Sequence, residues 1–248
     1  MVLRASALVS FALIPLAFGA TACDVGSVAP GDDDPTADAA VAPIDAAPTP
    51  TFAVTVDPPT ATTTLGTETT FTVTLTSSHF AGAVDLTATG ASAGWTVAFD
   101  ASTVTLTDGG TATATARVTV PSNGAAAPTG AALTFGATSP SFSGSGSAAL
   151  TVSNDFNVDI GVGAGGGAHF GAMRGTTITL KAGTRLHIRN TDTIAHRIHS
   201  NGGIGGFDHQ AANMGGGASF DVTPTDGSDS FYCHVHGEGT GSVNLVIE

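Results

Sequence analysis

The chain has 248 residues, of which 42% are hydrophobic and 11% charged, and its formal net charge at pH 7 is −13. A chain this acidic is a poor partner for the polyanionic surface of nucleic acid, which excludes that class of function. The length leaves room for one large domain or two ordinary ones. Because the segments with a clear hydrophobic period alternate at every second residue, we predict an all-β fold of two β-sandwiches in tandem.

Residues 1–22 have the pattern of an export signal. Arg4 supplies a positive charge, and residues 7–18 form an apolar run that is too short to span a bilayer. Small residues then lead to Cys23, in an arrangement that resembles the bacterial lipobox, although Ala20 stands where leucine is usual. The resemblance implies lipidation of Cys23 and anchoring to a bacterial envelope membrane, in the periplasm or at the cell surface. An ordinary cleavage site is the alternative.

Residues 23–51 have the composition of a disordered tether. The segment carries an acidic run at residues 32–34 and several Ala-Pro steps, and no aromatic residue occurs in it before Phe52. It offers too little apolar surface to offset the entropy lost on ordering. We expect it to hold the folded part of the protein away from the membrane.

Residues 52–153 are predicted to form the first sandwich. Short segments in which Val, Leu or Phe alternates with polar residues are separated by turn signals, and about seven such strands in roughly 100 residues are typical of an antiparallel sandwich. The stretch resembles the immunoglobulin-like modules of bacterial surface proteins, most clearly at residues 99–106. It contains no cysteine and a single histidine, His79. We expect a spacer or interaction module.

Residues 154–248 are predicted to form the second sandwich, with the boundary at residues 153–155. Seven of the eight histidines lie in this half, which indicates that it has a chemistry of its own. We predict that residues 219–222 and 230–233 form a hairpin around Asp226–Gly227, because Asp-Gly is a strong turn signal.

Cys233 is the cysteine that would stay unmodified in a lipidated protein, and it has histidines one and three residues beyond it. A thiol beside two imidazoles is either part of a metal site or an exposed oxidation hazard. With Cys23 at the lipid anchor, we expect no disulfide between the two cysteines.

Four segments of this half occur in an order that carries a family resemblance. They are residues 181–184 (Lys-Ala-Gly-Thr), 190–196 (Asn-Thr-Asp-Thr-Ile-Ala-His), 231–236 (Phe-Tyr-Cys-His-Val-His) and 241–243 (Gly-Ser-Val). Together they resemble the cupredoxins, the plastocyanin-like and halocyanin-like blue copper proteins, over essentially the whole half. Ala195 stands where proline is common in that family.

The resemblance implies one copper ion per chain, with His196, Cys233 and His236 as its ligands. The donor set also suits copper chemically, because thiolate stabilises the cuprous form and imidazole binds both oxidation states. Cys233 must be deprotonated to bind, so metal affinity should fall at low pH. For this cysteine, the alternative is a thiol that merely packs in the core.

The fourth ligand is less well defined. Many members of the family have an axial methionine a few residues past the second histidine, whereas residues 237–241 contain none. The axial position would then be empty or filled by a backbone carbonyl, Glu238 or Thr240. The predicted hairpin also brings Met214 near the copper end, as an axial candidate or as part of an apolar rim.

The remaining histidines of this half are not predicted as copper ligands, and His234 is expected in solvent or in the second shell of the site. Alternation along a strand turns His234 away from the neighbouring cysteine, and it places His187 and His199 on outer faces. The loops that carry His169 and His209 fix no direction for them, so a second metal there is an open alternative that no pattern in the sequence supports.

These features predict electron transfer through a single type 1-like copper site, with donor and acceptor proteins that the sequence does not identify. Tyr232, next to the cysteine ligand, is expected to face outward, and the resemblance implies that it can lie on an electron route; packing is the alternative role. An enzyme is not expected, because copper oxidases need additional copper ligands. The alternative function is handling or sensing of copper or zinc without electron transfer.

Overall fold

A computed structural model describes residues 47–161, 169–238 and 241–248. These residues form sixteen β-strands and a short 3₁₀ helix, Gly171–Met173, which confirms the all-β prediction. Residues Ala47–Glu248 form one compact unit. Within the described part of the chain, no helix is long and apolar enough to cross a membrane. The predicted signal, the lipidation site Cys23 and most of the predicted tether lie outside the described residues.

The first half contributes a four-stranded antiparallel sheet. Its strands are rich in threonine and valine, whose branched side chains favour a pleated surface. The order is β1 (Thr51–Asp57), β3 (Thr67–Ser78), β7 (Thr111–Val120) and β5 (Thr96–Phe99).

A seven-stranded sheet runs through both halves of the chain. Its main path is β14 (Ser219–Val222), β11 (Arg185–Asn190), β9 (Ser143–Ile160), β8 (Ala127–Thr138), β4 (Gly82–Thr89) and β6 (Thr103–Leu106), and β2 (Thr60–Leu65) pairs with β9 in parallel.

The second half contributes a five-stranded sheet that carries the predicted ligand segment. Its order is β10 (Thr177–Leu180), β16 (Ser242–Ile247), β15 (Asp226–Cys233) and β12 (Ile198–Ser200), and β13 (Ile204–Gly205) pairs with β15.

Each half has a core of buried apolar side chains, and the cores of the two halves are continuous. In the first half, Phe71 of β3 packs on Phe135 of β8 with ring centroids 5.7 Å apart. In the second half, Phe231 of β15 contacts Phe207 at 5.5 Å and Phe170 at 5.3 Å. The fully buried Phe231 lies two residues before Cys233 on the same face of the strand, so the core anchors the segment that carries the thiol.

The predicted domain boundary at residues 153–155 falls inside the 18-residue strand β9. Even-numbered residues from Ala148 to Val152 are buried in the first half, and those from Phe156 to Ile160 are buried in the second. Asn154 between them is exposed and donates to the carbonyl of Gly183 at 2.8 Å. The pairing of β9 with β2 shifts register here, so one strand serves both cores with an irregularity at its centre.

Gly66 is needed at the junction of the two halves. Its φ of +75° lies in the left-handed region, and a Cβ there would stand 2.4 Å from the ring of Phe156. Elsewhere at the junction, Ser122 Oγ donates to the carbonyl of Thr179 at 2.6 Å. The halves are therefore joined by side-chain contacts as well as by β9.

The predicted hairpin around Asp226–Gly227 is wrong. Strand β14 pairs with β11 in the seven-stranded sheet, whereas β15 pairs with β12 and β16 in the five-stranded one. Asp226 and Gly227 lie at the start of β15, and the chain crosses between the sheets at residues 223–225. An Asp-Gly pair marks a tight change of direction, but it does not determine which strands pair across it.

Candidate metal centre

The structure brings His196, Cys233 and His236 together and adds His169. The ligand atoms of these four side chains all lie within 4.8 Å of one another. His169, His196 and Cys233 are fully buried, and His236 is half-buried. We call these four residues the Cys233 centre.

His196 is held by a corner that is built around a buried amide. The side chain of Asn190 donates to the carbonyls of Ile194 at 2.8 Å and Met214 at 3.0 Å, and its Oδ1 accepts from the backbone N–H of Asp192 at 2.9 Å. The backbones of His196 and Met214 bond to each other in both directions, at 3.0 and 2.6 Å. These bonds fix the position of the histidine without any help from a metal.

Cys233 and His236 are positioned by a tight turn at the end of β15. The N–H groups of His236 and Gly237 both donate to the carbonyl of Cys233, at 3.3 and 2.9 Å. Gly237 has a φ of +77°, a conformation that glycine adopts without steric cost. The turn brings the imidazole back over the thiol, which is why the two ligand types occur three residues apart.

The donor atoms fit a shared metal ion. Cys233 Sγ lies 3.4 Å from His196 Nδ1 and 3.3 Å from His236 Nδ1. Metal–sulfur and metal–imidazole bonds of roughly 2.3 and 2.0 Å place donors in a near-trigonal set roughly 3.7 Å apart. The side chains therefore need to move apart by only a few tenths of an ångström to accept an ion.

Asp192 orients His196 and sets its tautomer. Its Oδ2 lies 3.2 Å from His196 Nε2, and a carboxylate accepts hydrogen bonds, so Nε2 carries the proton and Nδ1 faces the thiol with its lone pair free. Burial lowers the pKa of His196 below its ordinary value, while the hydrogen bond that its Nε2 donates to Asp192 opposes that shift. The imidazole is thus neutral and able to bind metal at neutral pH.

His169 is the member of the Cys233 centre that the sequence does not predict. Its ring lies 4.8 Å from that of His236 and 5.3 Å from that of His196, measured between centroids. The neighbouring Phe170 packs edge-on against Phe231, which ties the segment to the core. In the sequence, the aromatic residue Phe170 indicates that this segment packs on the core. It does not indicate on which side of the sheet His169 lies.

The predicted axial candidates occupy different surroundings. Met214 is buried and pairs through its backbone with His196, although the predicted hairpin that placed it there does not exist. Glu238 is exposed and, among the described residues, is not a member of the Cys233 centre. Thr240 lies outside the described residues. Tyr232, the predicted electron route, is half-buried with its ring 5.0 Å from that of His199.

The other histidines of this half divide into two groups. His187 is half-buried and bonds to Asp221 on the neighbouring strand. His199, His209 and His234 lie together, with ligand nitrogens within 4.8 Å of one another. His234 is exposed while Cys233 is buried, as alternation along the strand predicts.

No family model and no curated protein matches this chain. Among solved structures, a purple cupredoxin from Nitrosopumilus maritimus is similar at 19% identity and a TM-score of 0.29, over 37% of this chain and 98% of that one. A reduced amicyanin variant is similar at 18% identity and a TM-score of 0.30, over 38% of this chain and 83% of that one. A Cu(I) form of another amicyanin variant has 18% identity and a TM-score of 0.29. At these TM-scores the similarity carries no argument, and the interpretation of the site rests on its own residues.

Proposed function

We propose that the protein is a cupredoxin-like electron carrier that binds one copper ion through His196, Cys233 and His236. One observation carries the proposal: a fully buried thiol lies 3.4 and 3.3 Å from the Nδ1 atoms of two histidines. A thiolate with two imidazoles is the donor set that suits copper in both of its oxidation states. Bound copper would supply the one-electron chemistry at this site.

The protein residues keep the donors in one arrangement. The Asn190 amide and the backbone pairing with Met214 hold His196, and the turn from Cys233 to Gly237 holds the other two predicted ligands. Side chains that are fixed by buried hydrogen bonds rearrange little when the charge of a bound ion changes. That small rearrangement favours rapid electron exchange over substrate chemistry.

We propose His169 as the fourth ligand, in preference to Met214, because its ligand atom lies within the Cys233 centre. A third imidazole, as the fourth ligand, favours the cupric form, and the weak axial ligand tunes the reduction potential of such a site. We expect His169→Gln to retain copper, to shift the visible absorption and to raise the reduction potential, measured by voltammetry. Met214→Leu, the matched control at a buried neighbour of His196, should leave both unchanged. The opposite pattern would assign the axial role to Met214.

The location in the cell envelope belongs to the same proposal. It is supported by the sequence pattern of an export signal, by the lipobox-like segment before Cys23 and by the acidic composition of the predicted tether that follows it. The first sandwich would act as a spacer between the tether and the copper site. Ile194 and Val235 are 42% and 46% exposed and lie close to the ligand residues in the sequence, so each is a candidate contact for donor and acceptor proteins.

Metal handling without electron transfer is the second candidate function. The inclusion of His169 favours it, because four converging donors of which three are fully buried are also typical of a closed zinc site. Such a protein would hold its ion tightly and remain redox-silent.

Metal analysis followed by voltammetry tests the proposal. Full-length protein purified from the cell envelope should contain copper, and the copper-loaded form should show an intense charge-transfer absorption and a reversible one-electron wave. Zinc in the purified protein, together with copper-loaded protein that gives no wave, would support the second function instead.

A further inference from the structure

We propose that His199, His209 and His234 form a second metal site, which binds a divalent cation such as Cu²⁺ or Zn²⁺. The ligand nitrogens of these residues, here called the three-histidine cluster, lie within 4.8 Å of one another. The ring centroids are separated by 4.5 Å (His199–His209), 5.1 Å (His199–His234) and 4.9 Å (His209–His234). The cluster shares no residue with the Cys233 centre.

Backbone hydrogen bonds bring the three imidazoles together from separate parts of the chain. His199 lies on β12 opposite Tyr232, and His234 follows the end of β15, where its N–H donates to the carbonyl of Arg197 at 2.7 Å. The residue after His209, Gln210, bonds to Ile198 through both its backbone N–H and its side-chain oxygen, at 3.1 and 2.8 Å. Neighbouring residues thus anchor all three rings, so the cluster exists before any ion arrives.

The polar atoms of the cluster have unused bonding capacity. His209 Nε2 and His234 Nδ1 are 2.8 Å apart, a contact in which one neutral imidazole donates and the other accepts. Among the described residues, His199 Nδ1 is buried without a hydrogen-bond partner. A buried nitrogen without a partner no longer has the hydrogen bond that water would give it. A metal ion bound by all three rings would replace that interaction.

The donor set defines the class of ion. Three neutral imidazoles suit copper, zinc and nickel, whereas magnesium and calcium prefer oxygen ligands. His209 and His234 are exposed, so water can fill the remaining coordination positions. Without a thiolate, and with the positive charge of Arg197 nearby, this site should bind more weakly than the Cys233 centre and fill after it.

The site can be tested by adding Zn²⁺ to full-length protein whose Cys233 centre already holds copper. Equilibrium dialysis with metal analysis should find one zinc ion per chain while the copper absorption is unchanged. His209→Gln and His234→Gln should each lower the zinc affinity by more than tenfold and keep the copper absorption. His79→Asn, which removes an exposed histidine from the first half, should retain zinc binding.

The outcomes separate this site from the proposed function. If the protein does not take up copper, the same titration of metal-free protein with Zn²⁺ should still reveal one ion that the His209 variant loses and Cys233→Ser retains. A number of bound zinc ions that is the same in both cluster variants as in the wild type would place the ion elsewhere and overturn the proposal. Failure to bind zinc at millimolar concentration would overturn it as well.

Discussion

Cys233→Ser is expected to abolish the charge-transfer absorption of the copper-loaded protein completely. The absorption requires a copper–thiolate bond, and the described part of the chain has no other cysteine near the centre. Changes to groups that only orient a ligand cost about 10–100-fold in metal affinity, so loss of the thiolate itself should lower copper affinity by more than ~100-fold. Competition with a chelator of known affinity measures that loss.

The same substitution should remove the stabilisation that copper confers. An ion present at a thousandfold excess over its dissociation constant stabilises the native state by about 4 kcal/mol. At the same copper concentration the serine variant should gain almost none of this, as measured by denaturant unfolding with and without copper. His187→Gln is a suitable control, because His187 lies outside the Cys233 centre and bonds to Asp221. An absorption that persists in the serine variant would show that the thiol is not a ligand.

Leu150→Ala is expected to destabilise both halves of the protein together. Leu150 is fully buried and lies on β9 between Ala61 of β2 and Ala131 of β8. Truncation of a buried leucine to alanine costs about 2–5 kcal/mol. Because β9 continues as far as Ile160 and forms part of the second core, the loss should spread to the half that carries the copper site.

Two signals report the two halves separately. Trp95, the single tryptophan of the chain, is buried in the first half and donates to the carbonyl of Ala125 at 2.8 Å. The copper–thiolate absorption reports the second half. We expect both signals to change at the same denaturant concentration in the wild type, and at the same lower concentration in the variant. Ser147→Ala, an exposed change on the same strand, should change the free energy of unfolding by less than about 0.5 kcal/mol.

Separate transitions would contradict this expectation. If the tryptophan signal of Leu150→Ala moves to lower denaturant while the copper absorption keeps its original midpoint, the halves unfold independently. The two predicted domains would then be independent folding units.

Most strands could be predicted from alternation because the burial pattern of a half-buried strand has the same period as its side chains. Phe71, Val73 and Leu75 alternate with threonine in the sequence and are fully buried in β3. Partners are harder to predict, since alternation does not encode which edge a strand will join. Alternation and the turn signal therefore predict a hairpin of β14 and β15, although these strands belong to different sheets.

The long strand β9 could not be predicted because its centre is polar. Ser153, Asn154 and Asp155 have the composition of a linker, yet each is bonded in the structure or supported by a neighbouring strand. Asp155 also pairs with Arg185, which lowers the pKa of its carboxyl group. A polar segment can continue a strand when the neighbouring chains satisfy its polar groups.

The metal centre could be predicted only where ligands are close in sequence or follow a family pattern. Cys233 and His236 are linked by one turn, and His196 was assigned by resemblance; the structure places all three together. His169 and the three-histidine cluster depend on which loops meet in space, and no local pattern contains that information. Alternation predicted that His234 would face away from Cys233, but it did not predict the histidines that it meets there.

The unequal burial of the four residues of the Cys233 centre has a consequence for how an ion enters and leaves. His169, His196 and Cys233 are closed off from solvent, whereas His236 is half-buried and lies on the turn after β15. Of the four residues, His236 is therefore the one that solvent reaches, and we expect an ion to enter and leave past its side chain. The rate of metal exchange should then depend on the flexibility of the turn, while the affinity depends on the buried donors.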